Sequence, residues 1–236
     1  MDLSIIVAYR GDDGLRTRQM KWTVRRYREI FPEAEVILSE DKSDQGWTSF
    51  CKSKYINLGV KRSTRSVLLI TDIDVVLPRD SILKAIKALD KNCLVVPYNL
   101  LYKLSSASSE RILGNLPTKR MPNVPLSLQT AVSLTKKWHP QGISVITREN
   151  FDLAGGYDER FVGWGSEDSA FQSAVNTMRE GGFLQLEGIA YHLKHPIVKD
   201  RHLLRDQRVG DLVEAYTAAR HNKEEMQEII DGRSQQ

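Results

Sequence analysis

The chain alternates short, continuously apolar runs with longer stretches in which apolar residues return every three or four positions. Leu3 to Ala8 is the first run and reads as a buried strand, followed by the polar turn Tyr9-Arg10-Gly11-Asp12-Asp13-Gly14. Met20, Val24, Tyr27 and Phe31 then fall on one helical face, with Arg18, Lys21, Arg25 and Arg28 on another that reads as solvated. Phe31-Pro32 ends that helix and Glu35 to Ser39 gives the second strand. Trp47 to Val60 predicts a second helix with Phe50, Tyr55, Leu58 and Cys51 turned inward, and Val67 to Leu77 is the most apolar strand of all. A β-α-β-α-β succession of this kind specifies an α/β domain with a mostly parallel central sheet flanked by helices.

The second half is less regular. A helix over Ile82 to Leu89 and a strand over Cys93 to Pro97 precede a stretch, Tyr98 to His139, in which Ser105 to Ser109 and Pro117, Pro122 and Pro125 interrupt any periodicity. A segment that long without its own pattern reads as a lid or acceptor-binding loop, although Leu100, Leu101, Ile112, Leu113 and Leu116 require burial. A strand over Gly142 to Ile146 and a short capped helix ending at Gly155-Gly156 follow. A further helix runs through Phe171, Val175 and Met178, with Ser166 as its cap. Glu187 to Pro196 is a strand and loop, and the tail from Arg201 to Gln236 reads as one or two amphipathic helices with a frayed end.

Composition narrows the class. With 41% hydrophobic and 27% charged residues the 236-residue chain is an ordinary globular protein, long enough for one large α/β domain. A net charge of +4 admits an anionic substrate without demanding a nucleic acid. Cys51 and Cys93 have no paired metal spacing and read as core thiols. The start of the chain lacks a signal-peptide pattern and no stretch reaches membrane-span length, so a cytoplasmic location is expected.

The chemistry-bearing residues stand at the ends of these runs. Asp72 and Asp74 interrupt the most apolar strand, where an uncompensated charge is costly. Two apart on a strand, they point the same way and could share one cation; the alternative is a helix cap or a surface arginine pair. Glu40 and Asp41 emerge from the second strand, at the carboxyl edge where open α/β sheets bind ligands. Glu167 and Asp168 lie in the first turn of a helix, which the macrodipole alone would explain. It does not explain Trp164 between Gly163 and Gly165, an indole placed as a stacking platform. His192 and His195 need a partner carboxylate before either becomes a metal ligand.

In combination these motifs resemble the GT-A class of nucleotide-sugar glycosyltransferases, in particular the bacterial family-2 type and the carboxyl-terminal module shared with galactosyltransferases. The resemblance spans residues 3 to about 195. It is carried by Ile5-Ile6-Val7-Ala8-Tyr9-Arg10, Lys54-x-x-Asn57-x-Gly59, Asp72-Ile73-Asp74, Gly155-Gly156-Tyr157-Asp158-Glu159, Gly163-Trp164-Gly165-Ser166-Glu167-Asp168 and Tyr191-His192. It implies a single GT-A domain: a nucleotide-sugar-binding half over 1–97, an acceptor and catalytic half over 98–200, and a helical tail over 201–236. It further implies that Asp72, Asp74 and His192, or His195 in its place, hold Mn²⁺ or Mg²⁺, with Asp74 as the direct ligand of the Asp pair. Asp168 would be the catalytic base of an inverting transfer. Tyr9, Arg10, Glu40, Lys54, Asp72, Trp164 and Glu167 would surround the nucleotide sugar, a UDP-sugar by expectation, with a glycan or other hydroxyl as acceptor. Ala8, where the family often has Pro, and a sparse acidic corner at Glu40-Asp41 are departures from the family pattern.

Two other readings use the same residues. A DNA-base glycosyltransferase of the phage type would set Arg18, Lys21, Arg25 and Arg28, or the Lys194 to Arg208 stretch, against phosphates. A sugar nucleotidyltransferase would need a glycine-rich basic loop near the start, of which Arg10-Gly11-Asp12-Asp13-Gly14 is a poor version.

Overall fold

Alternate residues of the apolar runs face opposite ways, and the fold uses both faces. In the computed structural model, which describes residues 1–11, 14–43, 50–118, 128–133, 142–163, 165–179, 182–196 and 207–235, β1 (Leu3–Arg10) lies between β2 (Glu35–Asp41) and β3 (Val67–Thr71), parallel to both. The side chains of 128–133, 207–208 and 234–235 are outside that description. The sheet continues through β8 (Ile143–Thr147), β5 (Leu94–Val96) and β9 (Phe183–Gln185), in the order β2-β1-β3-β8-β5-β9. Because β8 runs antiparallel to both β3 and β5, the six strands make three parallel and two antiparallel pairings, a more mixed sheet than the apolar runs suggested.

Ile5, Val7 and Leu69 pack on one face beneath α1 (Leu15–Ile30) and α3 (Arg79–Ala88), together with Met20, Val24, Tyr27 and Ile82. Ile6, Leu68 and Ile70 pack on the other, beneath α2 (Lys52–Arg62), α5 (Arg148–Leu153), α6 (Glu167–Met178), α7 (Gln207–Ala218) and α8 (Lys223–Asp231). Both faces of the sheet are covered, which is why its strands are apolar throughout rather than alternating. The basic stripe of α1 is solvated as expected: Arg18, Lys21, Arg25 and Arg28 are all exposed.

Several expectations are corrected. Val67 to Leu77 is not one strand. β3 ends at Thr71, residues 72–74 turn, and β4 (Val75–Val76) joins a second sheet of order β4-β10-β6-β7. In that sheet β6 is Leu100–Leu104, β7 Leu128–Ser133 and β10 Ile189–His192. The turn is held from outside: Thr23 Oγ1 donates to the Ile73 carbonyl at 2.7 Å and Arg26 Nη2 to that of Leu77 at 3.0 Å.

The expected 98–139 loop likewise contains structure. β6 and α4 (Ser106–Leu113) occupy its first part, and the serine cluster does not break a helix but starts one, since the Ser105 hydroxyl accepts from Ser108 N. Ile112 and Leu113 are buried with Trp22, Val76, Leu104 and Leu193 in a third, smaller core, and Leu101 is buried with Ile5, Val7 and Leu69, whereas Leu116 is exposed. Residues 119–127 and 134–141 lie outside the described residues, as does Trp47.

In α2 the inward face is Ser53, Ile56, Gly59 and Val60 rather than Tyr55 and Leu58. Gly59 explains the shift: a Cβ there would come within 2.6 Å of Ile6 Cγ2, so this helix rests directly on β1. Cys93 is buried and Cys51 half-buried, both as free thiols.

The tail is two helices and is not frayed over its described length. Beyond α8, Arg233 Nη1 donates to the Ala154, Gly155 and Gly156 carbonyls at 3.1, 3.0 and 3.0 Å, tying the chain end to the Gly-Gly turn. No helix among the described residues is long and apolar enough to cross a membrane.

Candidate active site

The turn at 72–74 separates two clusters, one around each aspartate. Asp72 follows β3, and its N–H donates to the Gly142 carbonyl at 2.7 Å. Gly142 has φ +73° and its missing side chain leaves the space the Asp72 carboxylate fills, so glycine is required on two counts. Asp72 Oδ1 meets Lys52 Nζ at 3.0 Å. The same ammonium stands 3.3 Å from Asp168 Oδ2 and 3.6 Å from Glu167 Oε1, so three carboxylates converge on one lysine in the first turn of α2.

Asp74 belongs to the other cluster. β10 pairs antiparallel with β4, placing His192 opposite Val75, and the Leu193 N–H donates to the Asp74 carbonyl at 2.7 Å. This pairing, between residues more than a hundred positions apart, sets Asp74 beside His192 and His195. His192 Nε2 is 3.8 Å from Asp74 Oδ1 and His195 Nε2 is 3.4 Å from Asp74 Oδ2. One ligand atom from each of the three lies within 4.8 Å of the others, an arrangement that can hold a metal ion. Arg16, at the start of α1, closes the cluster with an ion pair to Asp74 and a 3.2 Å bond to Gln19 Oε1. Gln19 in turn donates to the Lys194 carbonyl at 3.0 Å, between the two histidines.

Electrostatics separate the two aspartates. Burial would raise Asp74, but Arg16, His192 and His195 hold it well below the usual carboxylate range. Burial raises Asp72 and outweighs Lys52, with Asp74 and Asp168 adding to the rise. Burial, reinforced by Asp168, also lifts Glu167 to about 7. Lys52 would be depressed by burial, yet Asp168, Asp72 and Glu167 keep its ammonium well above the ordinary value. His195 is lowered by burial against the pull of Asp74, which favours the neutral imidazole that a metal needs.

The Gly163 to Asp168 block is built by unusual backbone. Gly163, Gly165 and Ser166 have φ of 87°, 99° and 78°. Ser166 borders α6 in this left-handed state and its side chain makes no capping bond, so the expected serine cap is absent; a non-glycine residue held at positive φ stores strain beside Glu167 and Asp168. Trp164 lies outside the described residues.

Upstream, the Gly-Gly-Tyr-Asp-Glu motif is clamped by Asn57, which donates to the Tyr157 carbonyl at 2.8 Å and to Glu159 Oε1 at 3.0 Å and accepts from Tyr157 N at 2.9 Å. Tyr157 then donates its hydroxyl to Asp168 Oδ1 at 3.2 Å. Asp158 turns away from the site, bonded to Arg160 at 2.8 Å and to the Tyr216 hydroxyl at 2.9 Å.

A third group closes the carboxyl ends of β1 and β2, where Arg10 is register partner to Asp41. The buried Arg10 pairs with Asp41, donates to Ser43 Oγ at 2.7 Å and lies 5.3 Å from the Phe50 ring centroid. Burial would raise Asp41, but the Ser43 N–H, the Tyr55 and Ser43 hydroxyls and Arg10 hold it low. Of the residues expected around a nucleotide sugar, Tyr9 is buried behind this corner with its hydroxyl 2.5 Å from Thr17 Oγ1, while Glu40 and Lys54 are exposed. Asp41 rather than Glu40 therefore faces Arg10.

The structure thus brings together Asp72, Glu167 and Asp168 on one side and Asp74 with His192 and His195 on the other. Lys52, Arg16 and Tyr157 are the functional candidates that sequence reasoning passed over. The two cations begin helices, where they look solvated, and Tyr157 lies inside a glycine motif whose hydroxyl contact is not encoded by spacing.

Comparison with known proteins gives one family match over part of the chain and several structures of similar fold. A family described as the N-terminal domain of galactosyltransferase matches residues 135–195, which include the Gly163 to Asp168 block and both histidines. No curated protein matches by sequence. By structure the chain is similar to a mannosyltransferase from Pyrobaculum calidifontis in complex with GDP-Man and Mn²⁺, with TM-score 0.53 and 14% identity over 92% of this chain and 63% of that one. It is also similar to the catalytic domain of Drosophila β1,4-galactosyltransferase 7 in complex with xylobiose (TM-score 0.50, 13% identity, 86% and 79%). GalNAc-T7 with UDP, GalNAc and Mn²⁺ is a third such structure (TM-score 0.53, 13% identity, 91% and 48%). The chain spans less than two thirds of the length of the mannosyltransferase it matches. At these identities the likeness establishes the fold, and the fold is that of the GT-A glycosyltransferases.

Proposed function

We propose that the protein is a metal-dependent, inverting glycosyltransferase that moves a sugar from a UDP-sugar to a hydroxyl acceptor in polysaccharide or glycan synthesis. The observation that carries this reading is the Asp74–His192–His195 cluster standing one turn away from the Lys52–Asp72–Glu167–Asp168 cluster. The donor set of one carboxylate and two imidazoles fits Mn²⁺ better than Mg²⁺. Two of the similar structures carry Mn²⁺. Asp74, His192 and His195 would hold the ion, with Arg16 keeping Asp74 ionised and oriented. A cation there supplies Lewis-acid stabilisation of a diphosphate leaving group.

The chain's own residues do the rest. The Arg10–Asp41–Phe50 corner takes the nucleotide, with Tyr9 behind it and Glu40 and Lys54 at its rim. Asp72 and Lys52 face the donor sugar, and Glu167 shapes the pocket between donor and acceptor, to which Trp164 is assigned by its motif alone. Asp168 receives the proton of the acceptor hydroxyl as that oxygen attacks the anomeric carbon, and a single displacement with one base inverts the centre. The division of labour follows the chain in part: residues 1–97 supply the nucleotide corner and Asp74, 98–200 the acceptor side, the base and the two histidines of the metal site, and Arg233 in the 201–236 tail buttresses the Gly155-Gly156 turn. No observation favours a nucleic-acid acceptor; within the α1 stripe Arg18 is already tied to Glu110.

The test is a thermal-shift panel of nucleotide sugars with and without Mn²⁺, followed by product NMR with the donor so identified. An α-linked donor is expected to give a β-linked product, and an α-linked product overturns the inverting assignment. Asp168→Asn is expected to bind the donor normally and to lose about a thousandfold in transfer rate. Near-full turnover in that variant removes Asp168 from the role of base.

A further inference from the structure

Asp168 is held at both ends. Its Oδ2 receives Lys52 Nζ at 3.3 Å and its Oδ1 receives the Tyr157 hydroxyl at 3.2 Å. Each oxygen keeps a lone pair for an incoming hydroxyl, so the two contacts orient the carboxylate without consuming it.

The holders are themselves immobilised. The Tyr157 ring stacks on Phe171 with centroids 4.1 Å apart and planes at 17°, and tilts against Phe151 at 6.3 Å. Its backbone is pinned on both N–H and C=O by Asn57. Lys52 is only 16% exposed, and its ammonium reaches Asp72 and Glu167 as well as Asp168. Three carboxylates are gathered on this ammonium, and they come from both the β3 end and α6.

We propose that Lys52 and Tyr157 are positioning residues that grip Asp168 by its two oxygens, Lys52 also acting as the internal counter-cation that ties Asp168 to Asp72. The proposal rests on the reading of Asp168 as the base. Neither residue exchanges a proton with the acceptor. Tyr157 fixes which lone pair of Asp168 is presented. Lys52 sets the distance between the acid that faces the donor and the acid that faces the acceptor, and small misplacements of such groups are costly in rate.

Three variants test it with two readouts. The first is titration with Mn²⁺ alone, followed by electron paramagnetic resonance, which needs no donor. The second is steady-state nucleotide release with the donor that the thermal-shift panel identifies. Tyr157→Phe keeps the ring and its stacking; it is expected to lower kcat about tenfold while donor KM and Mn²⁺ affinity stay within about twofold. Lys52→Met is expected to lower kcat further and, by removing a positive charge that competes with the ion, to tighten Mn²⁺ binding about tenfold. Lys52→Arg, which retains the charge, is expected to restore wild-type Mn²⁺ affinity and part of the rate.

Wild-type kcat in Tyr157→Phe overturns the grip. Unchanged Mn²⁺ affinity in Lys52→Met overturns the counter-cation. Should the wild-type protein turn over no nucleotide sugar, the proposed activity fails, and the Mn²⁺ titration still decides the role of Lys52.

Discussion

Asn57 joins α2 to the loop that carries Tyr157, and its removal has a calculable cost. Its side chain makes three bonds to the 157–159 segment, two of them to the backbone N–H and C=O of Tyr157 at 2.9 and 2.8 Å. The same side chain lies where a Cβ on Gly156 would fall, 2.9 Å from Asn57 Oδ1, so the loop is packed onto the amide and cannot close over its loss. In Asn57→Ala both backbone groups lose their partner. Each buried unsatisfied group costs about 1–3 kcal/mol, and partial access of water places the sum at about 3 kcal/mol. For a domain of this length that corresponds to a fall in Tm of roughly 6–12 °C. Asn57→Asp is the sharper probe: it retains an acceptor for Tyr157 N but sets a carboxylate against the Tyr157 carbonyl and Glu159, so it is expected to destabilise at least as much as alanine. Urea denaturation at neutral pH, read by tryptophan fluorescence and far-UV circular dichroism, measures both. An Asn57→Ala variant within about 0.5 kcal/mol of wild type would mean that solvent replaces the amide at no cost and that the clamp contributes nothing.

Further expectations concern the framework and its pH response. Gly59→Ala adds a methyl that meets Ile6 at 2.6 Å, so despite the better helix propensity of alanine it is expected to lose about 1–3 kcal/mol in the same assay. Glu35 joins three segments through Ser4 Oγ at 2.6 Å, Thr64 N at 2.9 Å and the Thr64 hydroxyl. The Ser4 hydroxyl, the Thr64 N–H and the Thr64 hydroxyl depress its carboxyl to about 2. A folded-state value below the unfolded one means that Glu35 stabilises the protein fully above the unfolded value and loses that contribution as pH falls toward about 2. The stability gap between wild type and Glu35→Gln should therefore be largest near pH 6 and shrink steadily below pH about 4.5; a gap independent of pH removes the ion-specific role.

Much of the framework was legible because buried strands need continuous apolar runs, and Leu3 to Ala8, Glu35 to Ser39 and Cys93 to Pro97 supply them where strands occur. Tertiary pairing was not legible. Ile73, Val75 and Val76 look like a continuation of β3 because their apolar character is set by burial in either sheet, and only the pairing of β4 with β10 reveals the turn at Asp72 and Asp74. The serine run at 105–109 was misleading for a different reason: serine opposes a helix interior but favours its start, and Ser105 is a cap. Within the site, Asp74, Asp168 and His192 were accessible as motif residues. Lys52 and Arg16 were not, since a cation in the first turn of a helix carries no periodic signal and acquires meaning only when distant carboxylates converge on it. The choice between the histidines dissolves in the fold, which sets both beside Asp74.

In the proposed function Asp74, His192 and His195 hold a divalent cation through which a nucleotide sugar is bound. Calorimetric titration of UDP into the wild-type protein and into Asp74→Ala, each with and without Mn²⁺, tests that role without reference to the acceptor. Wild type is expected to bind UDP tightly only when Mn²⁺ is present, and Asp74→Ala to show no Mn²⁺-dependent gain. Equal affinity with and without the ion in wild type, or an undiminished gain in Asp74→Ala, would contradict that role.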